Sequence, residues 1–277
     1  VVIAAMLAAS LLHASWHALV KTSSDRVVAL AGMNLVSGTI AAVLLPVAGT
    51  LPASAFLIIA GSVILHACYK LALARLYRLS DLGQAYPLAR GITPVMAAAL
   101  ALLVLGEKPG ALRLAGLLLV CTGILCLGFE KRDVRIPLGA MGTAFVTGTT
   151  VAAYSVVDAY GVRMVGDWFS FTVWLVAADS LSFVGYAIAT RGTATLRSWR
   201  EDWQRVLASG GLGVASFGVF MWALGVAPVG PVTALRETSV LFAAIIGAVV
   251  LRERAGPLRY AAAAAVTAGV GVIALAH

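Results

Sequence analysis

Histidine and aromatic side chains recur at helical spacing inside otherwise apolar stretches of the sequence. His13, Trp16 and His17 stand at positions i, i+3 and i+4 of the first apolar run, so they share one face of a helix. A charge at the centre of a membrane costs at least about 2.5–3.5 kcal/mol, so polar groups in such a run call for an interior environment. We therefore expect this face to line a path through the protein rather than to contact lipid.

Later apolar runs carry similar sets of side chains. His66 and Tyr69 stand three residues apart, and Tyr86 and Arg90 stand four apart. The candidate residues for contact with a solute are His13, Trp16, His17, His66, Tyr69, Tyr86, Arg90, Tyr154, Trp222 and Arg236. The residues of the second half are expected near the opposite membrane face from those of the first. Two polar, aromatic-lined vestibules would then meet near the bilayer centre, as alternating access requires.

Some of these polar residues also admit a purely structural role. Arg90 and Arg236 align when the sequence is shifted by 146 positions, so we expect them to share a role, either as substrate ligands or as ion-pair partners. Lys70 either lines the path or extends to the interface beside Arg75. Asp179 either forms a helix–helix hydrogen bond or is a proton site.

The composition is that of an integral membrane protein. Charged residues make up 12% of the chain and hydrophobic residues 61%, whereas a soluble domain carries roughly a quarter charged residues. The net charge of +8 comes from basic residues in short turns, which suits membrane topology and argues against binding of nucleic acid. The three cysteines lack metal or redox spacing, and no phosphate loop or hydrolase motif occurs. No enzyme activity, catalytic residue, cofactor or metal is therefore expected.

Apolar runs long enough to cross a membrane predict an all-α protein with ten spans. About 20 apolar residues are needed for each crossing. The runs fall at approximately 1–20, 27–47, 54–77, 82–105, 110–128, 137–157, 167–190, 204–225, 231–251 and 256–276. The first run lacks a basic leader and carries two histidines and a tryptophan, so it is interpreted as a span rather than a signal peptide. Residues 189–202 are the best candidate for a segment at the membrane surface.

An internal repeat divides the chain into two units. The same shift of 146 positions lays residues 102–123 on residues 248–269, where identical pairs include Glu107 with Glu253. A polar linker at 129–137 then separates a first repeat, residues 1–129, from a second, residues 137–277. Because each unit contains an odd number of spans, five, the two must be inverted repeats, which is typical of transporters.

The turns predict further local features. Glu107 and Glu253 follow their spans in short basic turns, where capping and salt-bridging within the hairpin is the expected role. Loops after odd-numbered spans carry fourteen lysines and arginines, against three after even-numbered spans. The positive-inside rule then places both termini outside the cell.

The repeated pattern resembles the EamA-type transporters of the drug/metabolite transporter superfamily. The resemblance is carried by ten spans in two inverted halves and by LVLGEKPGALRLAGLLLVCTGI (103–124) and VVLRERAGPLRYAAAAAVTAGV (249–270). It implies a multi-pass protein of the bacterial inner membrane, with YddG-type amino-acid exporters as the favoured relatives and with both termini in the cytoplasm, contrary to the loop charges. It also implies that the candidate residues line a central cavity, where aromatic faces suit apolar side chains and Arg90 or Arg236 binds an α-carboxylate.

The leading hypothesis is a secondary transporter that exports amino acids, aromatic or of a broad range, and related metabolites. Its partners would be this small-molecule substrate, the lipid bilayer and, as a further candidate, protons, because His13, His17 and His66 titrate near neutral pH when unperturbed. No acid shares their helix faces, so the sequence assigns them no proton role. A second hypothesis is transport of phosphorylated or phosphonate metabolites, held by Lys70, Arg90 and Arg236. A third, of another class, is a membrane scaffold without transport, in which the polar residues would pair with each other.

Overall fold

The described part of the chain is helical throughout and contains no strand. The structure, a computed structural model, describes residues 1–21, 23, 25–79, 82–128, 136–192, 194–250 and 256–276, with all side chains except those of residues 21, 77, 82–86, 194, 244 and 246–250. The helices are α1 (Val2–Lys21), α2 (Arg26–Leu44), α3 (Ala53–Leu79), α4 (Leu82–Leu105), α5 (Ala111–Gly128), α6 (Leu138–Val165), α7 (Trp168–Arg191), α8 (Ala194–Glu201), α9 (Trp203–Val226), α10 (Val229–Glu237), α11 (Ser239–Val250) and α12 (Pro257–Leu275). The prediction of an all-α membrane protein is confirmed.

Nine of the described helices are long and apolar enough to cross a membrane. They correspond to the predicted spans one to eight and ten. The predicted ninth span, 231–251, is instead two helices, because α10 ends at Glu237 and α11 begins at Ser239. At the junction, the Thr238 side chain donates to the carbonyl oxygen of Leu235 at 2.6 Å. The predicted surface segment at 189–202 contains the short helix α8.

One predicted boundary is wrong. The sixth span was expected to end at residue 157, but α6 continues to Val165, where Gly166 adopts a left-handed conformation (φ 74°) and ends the helix. Asp167 then caps α7, its carboxylate accepting hydrogen bonds from the backbone N–H groups of Phe169 and Ser170. The hydrogen bond from the Ser170 hydroxyl, aided by those from the backbone, holds the pKa of Asp167 below its usual value. Asp158 consequently lies inside α6, two turns from its end.

Glycine allows a close helix contact between α5 and α12. A Cβ atom at Gly116 would lie 3.0 Å from the carbonyl oxygen of Gly269, and one at Gly269 would lie 2.8 Å from that of Gly116. Any larger residue would push the two backbones apart, which is the packing that small residues permit in membranes. The two last helices of the predicted repeats therefore pack directly together.

Several helix pairs connect the two halves of the chain. Helix α1 packs on α9, α3 and α4 pack on α6, and α2 packs on α7. The contacts α1 with α9 and α3 with α6 occupy corresponding places in the two predicted repeats. The assignment of the chain to two inverted repeats, 1–129 and 137–277, stays a prediction. These contacts bring the polar faces of both halves to the middle of the helix bundle.

The end cluster, a set of hydrogen bonds around Glu107 and Arg163, joins four helix ends at the membrane face where the even-numbered spans end. Glu107 accepts a hydrogen bond from Arg163 Nη1 at 2.6 Å and another from the backbone N–H of Val229, the first residue of α10, at 2.9 Å. Arg163 also donates to the carbonyl oxygens of Leu224 and Ala227, at 2.9 and 2.8 Å. The expectation that Glu107 salt-bridges its own hairpin is wrong, because its partner belongs to α6; Glu253 lies outside the described residues.

We predict that Glu107→Ala lowers the thermal stability of the protein. The substitution removes the acceptor of a charged hydrogen bond and leaves the Arg163 guanidinium and the Val229 N–H without it, at a cost of about 1.5–3 kcal/mol. The measurement is the apparent Tm in detergent. The matched control is Glu201→Ala, since Glu201 pairs with Arg197 at 2.8 Å on the exposed surface, where such a pair contributes about 0–1 kcal/mol. Equal losses of stability in both variants would contradict the role assigned to Glu107.

Candidate functional site

A cavity of about 90 Å³ lies where the polar faces of both halves meet. It has room for several water molecules, since each needs about 10–15 Å³ on the same measure. It is lined by His13, Trp16, Leu30, Met33, Asn34, Ser37, His66, Tyr69, Lys70, Tyr154, Leu175, Val176, Asp179, Ser180, Gly213, Val214, Phe217 and Arg236. Helices α1, α2, α3, α6, α7, α9 and α10 therefore all contribute to one central chamber.

Arg236 brings a positive charge to the cavity wall, and no carboxylate of the described residues forms an ion pair with it. Its guanidinium carbon lies 4.2 Å from the centre of the Phe220 ring and 5.6 Å from that of Tyr154. The side chain is buried, and Nη1 has no hydrogen-bond partner among the described residues. Aromatic faces stabilise a cation but do not satisfy its N–H donors. Arg236 is therefore able to donate to a ligand in the cavity.

Arg90 has a different environment, although it aligns with Arg236 in the sequence. Its Nη1 donates to Glu237 at 3.0 Å, and both side chains are fully buried. Its Nη2 donates to the Tyr69 hydroxyl at 2.8 Å. Of the two alternatives predicted for these arginines, Arg90 fits the ion pair and Arg236 the ligand-facing role.

The cluster on α1 is held together by its own hydrogen bonds. The Trp16 indole N–H donates to His13 Nδ1 at 3.2 Å, so a neutral His13 carries its proton on Nε2. That nitrogen lies 3.2 Å from His17 Nε2, which then serves as the acceptor. Arg90 Nη2 lies 3.3 and 3.4 Å from the same two nitrogens. His17 thus links the cavity wall to the buried Arg90 without lining the cavity itself.

Lys70 is held inside the bundle by an ion pair. Its ammonium group donates to Asp179 Oδ2 at 2.6 Å and to Asn34 Oδ1 at 2.9 Å, and it lies 4.6 Å from the centre of the Phe183 ring. The alternative in which Lys70 reaches the interface beside Arg75 is therefore wrong. Asp179, for which a helix–helix hydrogen bond or a proton site was expected, forms an interhelical ion pair.

A second acid–base contact joins α3 to another helix, where His66 on α3 lies beside Asp158 on α6. Ser62 donates to Asp158 Oδ1 and lies 3.1 Å from His66 Nδ1. His66 Nε2 lies 3.8 Å from Asp158 Oδ2, and neither atom has a hydrogen-bond partner in the part of the chain described. The His66 ring also stacks on Tyr154, with centroids 4.1 Å apart. The acid that His66 lacks on its own helix is supplied by α6.

Comparison with known protein families identifies the second half of the chain. Residues 138–275 match the model of the EamA-like transporter family. This half is an EamA-like transporter domain. The family belongs to the drug/metabolite transporter superfamily. A chain that carries the EamA-like domain and has, among its described residues, nine helices long and apolar enough to cross a membrane is a multi-pass membrane transporter.

The fold is shared with proteins of known structure. The crystal structure of another protein, 14% identical in sequence, matches with a TM-score of 0.78 over 99% of this chain and 95% of that chain. At this identity the similarity shows the fold alone, in which the EamA-like domain and the preceding half occur together. A comparison with curated proteins found no match.

Six of the ten predicted site residues line the cavity between the first half and the EamA-like domain: His13, Trp16, His66, Tyr69, Tyr154 and Arg236. Three of the others have described side chains. His17 and Arg90 lie behind the lining, and Trp222 packs, half-buried, against the apolar core that both halves share. The side chain of Tyr86 lies outside the described part. Two vestibules were expected at opposite faces of the membrane, whereas these six residues from both halves line a single cavity.

The prediction missed several lining residues on α2, α7 and α9. Asn34 and Met33 lie on α2, and Phe217 lies on α9 of the EamA-like domain. Asn34 is the only asparagine in the sequence and stands within an apolar run, which could have drawn attention to it. Met33 and Phe217 resemble ordinary apolar residues of a span, and nothing in their sequence context distinguishes them.

We predict that Trp16→Cys, in a background without Cys68, Cys121 and Cys126, reacts with a small polar thiol reagent in folded protein. Trp16 lines the cavity, so a thiol at this position meets water. Trp222→Cys is the matched control and should stay unreactive, because Trp222 lies outside the cavity lining and packs against the apolar core. Mass spectrometry measures the modification. An inert Trp16→Cys in correctly folded protein would exclude a water-accessible cavity and favour the scaffold hypothesis.

Proposed function

We propose that the protein is a secondary transporter of the bacterial inner membrane that exports amino acids, aromatic or of a broad range, and related metabolites by alternating access. The observation that carries this proposal is Arg236, a buried guanidinium that lines the central cavity with no carboxylate partner among the described residues. A buried charge is costly until it is paired. A ligand carboxylate supplies that pair, and a guanidinium group binds it with two parallel hydrogen bonds.

The number of unmatched charges favours a monocarboxylate over a phosphorylated metabolite. Lys70 and Arg90 are already matched by Asp179 and Glu237, at 2.6 and 3.0 Å. Arg236 is then the one cation of the three that lacks an acid in the described part of the chain. A phosphate dianion would have to break one of the existing pairs to gain a second cation, whereas a single carboxylate needs only Arg236.

The remaining lining suits the side chain of an amino acid. Trp16, Tyr69, Tyr154 and Phe217 present aromatic faces to the cavity. Such faces bind apolar and aromatic groups through contact area and ring geometry, without demanding one shape. This lining supports a range of apolar side chains rather than one substrate.

Hydrogen bonds that join helix ends at one face of the bundle support alternating access. The end cluster of Glu107 and Arg163 joins the ends of α4, α6, α9 and α10 at one face. The lining residues of α1 and α2 lie towards the opposite face: His13 and Trp16 in the second half of α1, and Leu30 and Met33 in the first half of α2. A substrate would leave through this face only after these hydrogen bonds break. In alternating access, one half of a transporter moves against the other so that the site opens first to one side of the membrane and then to the other.

We expect Arg236→Gln to reduce amino-acid counterflow in proteoliposomes by about tenfold or more, because the charged fork to the carboxylate is lost. Arg236→Lys keeps the charge but not the fork, so its activity should be intermediate. The assay preloads vesicles with unlabelled amino acids and measures accumulation of one labelled amino acid from outside.

The control for this experiment is Arg197→Gln, an arginine on the exposed helix α8. It should transport like the unsubstituted protein. Full activity of Arg236→Gln would contradict the proposed carboxylate site. No counterflow of any amino acid by folded unsubstituted protein, together with accumulation of a phosphorylated metabolite, would favour the second hypothesis.

We further propose that protons are moved during transport, with Asp158 and His66 as the site. Asp158 is fully buried, and a Ser62 hydroxyl and His66 at 3.8 Å are its nearest polar neighbours. The other charged groups that act on it are Arg236 on α10 and Asp179 on α7. A carboxylate so far from water and without a direct cation partner is stabilised by a proton, which it can share with the neighbouring imidazole.

Asp158→Asn should abolish the response of net flux to an imposed pH gradient while leaving counterflow intact. Asparagine keeps the shape and the bond from Ser62 but carries no exchangeable proton of this kind, and counterflow needs no net proton movement. Net efflux of labelled amino acid is measured with and without a pH gradient across the vesicle membrane. Asp202→Asn, at an exposed position, is the matched control. A pH response that persists in Asp158→Asn would exclude this residue as the proton site.

A further inference from the structure

The cavity contains an acceptor group as well as a donor group, and the pair together is more selective than Arg236 alone. We infer that Asp179 is a specificity-determining residue that binds the α-ammonium group of the substrate, so that the cavity selects zwitterionic amino acids over carboxylates that lack an amino group. This inference rests on the proposed function, since it concerns the same cavity and the same substrate.

Asp179 presents one unsatisfied oxygen. Oδ2 accepts from Lys70 at 2.6 Å, whereas Oδ1 is buried and has no hydrogen-bond partner within the described residues. The side chain lines the cavity and is 14% exposed. Leaving a buried charged acceptor without a donor is energetically unfavourable. A donor that enters the cavity removes this cost.

Lys70 cannot supply the missing donor without losing its other contacts. Its ammonium group is shared between Asp179 Oδ2 and Asn34 Oδ1, with the Phe183 ring against it. Asn34 is itself fixed, because its amide group donates to the carbonyl oxygen of Leu30 at 2.7 Å. Lys70 therefore holds the Asp179 carboxylate in place and leaves Oδ1 for a second cationic donor. An ammonium group, with three N–H donors on one atom, satisfies this acceptor.

The second observation is that the unsatisfied donor of Arg236 lines the same cavity. Nη1 of Arg236 lacks an acceptor and Oδ1 of Asp179 lacks a donor. A zwitterionic α-amino acid carries a carboxylate and an ammonium group on the same carbon atom and supplies both an acceptor and a donor. The aromatic faces of Trp16, Tyr69 and Phe217 complete the lining, and such faces also favour a cation.

The other acids of the cluster are placed differently. Asp158 and Glu237 are fully buried and lie outside the cavity lining, as far as the described side chains show. Asp179 is the acid whose carboxylate meets the cavity directly. A site built to bind an N–H group rejects the analogue without it, because its buried acceptor is left unpaired. The selectivity should therefore depend on Asp179 in particular.

The test compares phenylalanine with 3-phenylpropionate, which has the same ring, chain and carboxylate but no amino group. Counterflow of each labelled compound is measured in proteoliposomes with unsubstituted protein, Asp179→Asn and the control Asp202→Asn. We expect the unsubstituted protein and the control to prefer phenylalanine by about tenfold or more. Asp179→Asn should lose phenylalanine counterflow by a similar factor and keep or gain that of 3-phenylpropionate, which removes the preference.

Folding is controlled with a second variant. Asp179→Asn leaves Lys70 buried without its acid, so the double variant Asp179→Asn/Lys70→Met removes both charges and should also transport without preference. Lys70→Met alone keeps Asp179 and should retain the preference for phenylalanine. Unchanged discrimination in both variants that lack Asp179 would overturn the inference, as would equal transport of the two compounds by the unsubstituted protein. Transport of neither compound by the unsubstituted protein would overturn the proposed function, a result distinct from transport without discrimination.

Discussion

The arrangement of the bundle depends on the matching of buried charges in an apolar interior. Two cations, Lys70 and Arg90, each lie within 3.0 Å of a carboxylate on another helix. Each pair joins a helix of the first half to a helix of the second, α3 to α7 and α4 to α10. Removing one member of such a pair leaves the other charge in a medium that solvates it poorly, so the partners fix each other's position. The same constraint makes an unmatched group conspicuous, and Arg236 is the clearest example.

Polar residues alone would not hold the helices of this bundle together, and small residues provide the close packing around them. Lipid tails are as apolar as the side chains, so helix association in a membrane relies on contact between surfaces that fit. The approach of α5 to α12 at Gly116 and Gly269 is of this kind. These two helices stand apart from the cavity, since none of its described lining residues belongs to them. The molecule thus separates an inert packing interface from the chamber in which polar groups face one another.

Much of the fold follows from the sequence because membrane thickness fixes helix length and apolar runs reveal it. The end of α6 was missed, although Gly166 followed by Asp167 is a helix stop and a helix start that could have been recognised. The site was only partly predictable for a different reason. Spacing along one helix identifies residues that share a face, as for His13 and Trp16, but it carries no information about partners. Lys70 and Asp179 are 109 residues apart, and Arg90 and Glu237 are 147 apart. Arg90 and Arg236 align when the sequence is shifted by 146 positions, but their different environments follow from these partners and could not be read from the sequence.

Because of the junction at Thr238, α10 is a short helix of nine residues, and its last two residues are Arg236 and Glu237. Consecutive residues of an α-helix point about 100° apart, so Arg236 meets the cavity while Glu237 reaches Arg90. Helix α10 begins at Val229, whose backbone N–H donates a hydrogen bond to Glu107 of the end cluster. A rotation of α10 about its axis that reorients Arg236 therefore also strains two hydrogen bonds. One joins Glu237 to Arg90 on α4, and the other joins the Val229 N–H to Glu107. Occupancy of the cavity and the hydrogen bonds of the end cluster are therefore linked through one nine-residue helix.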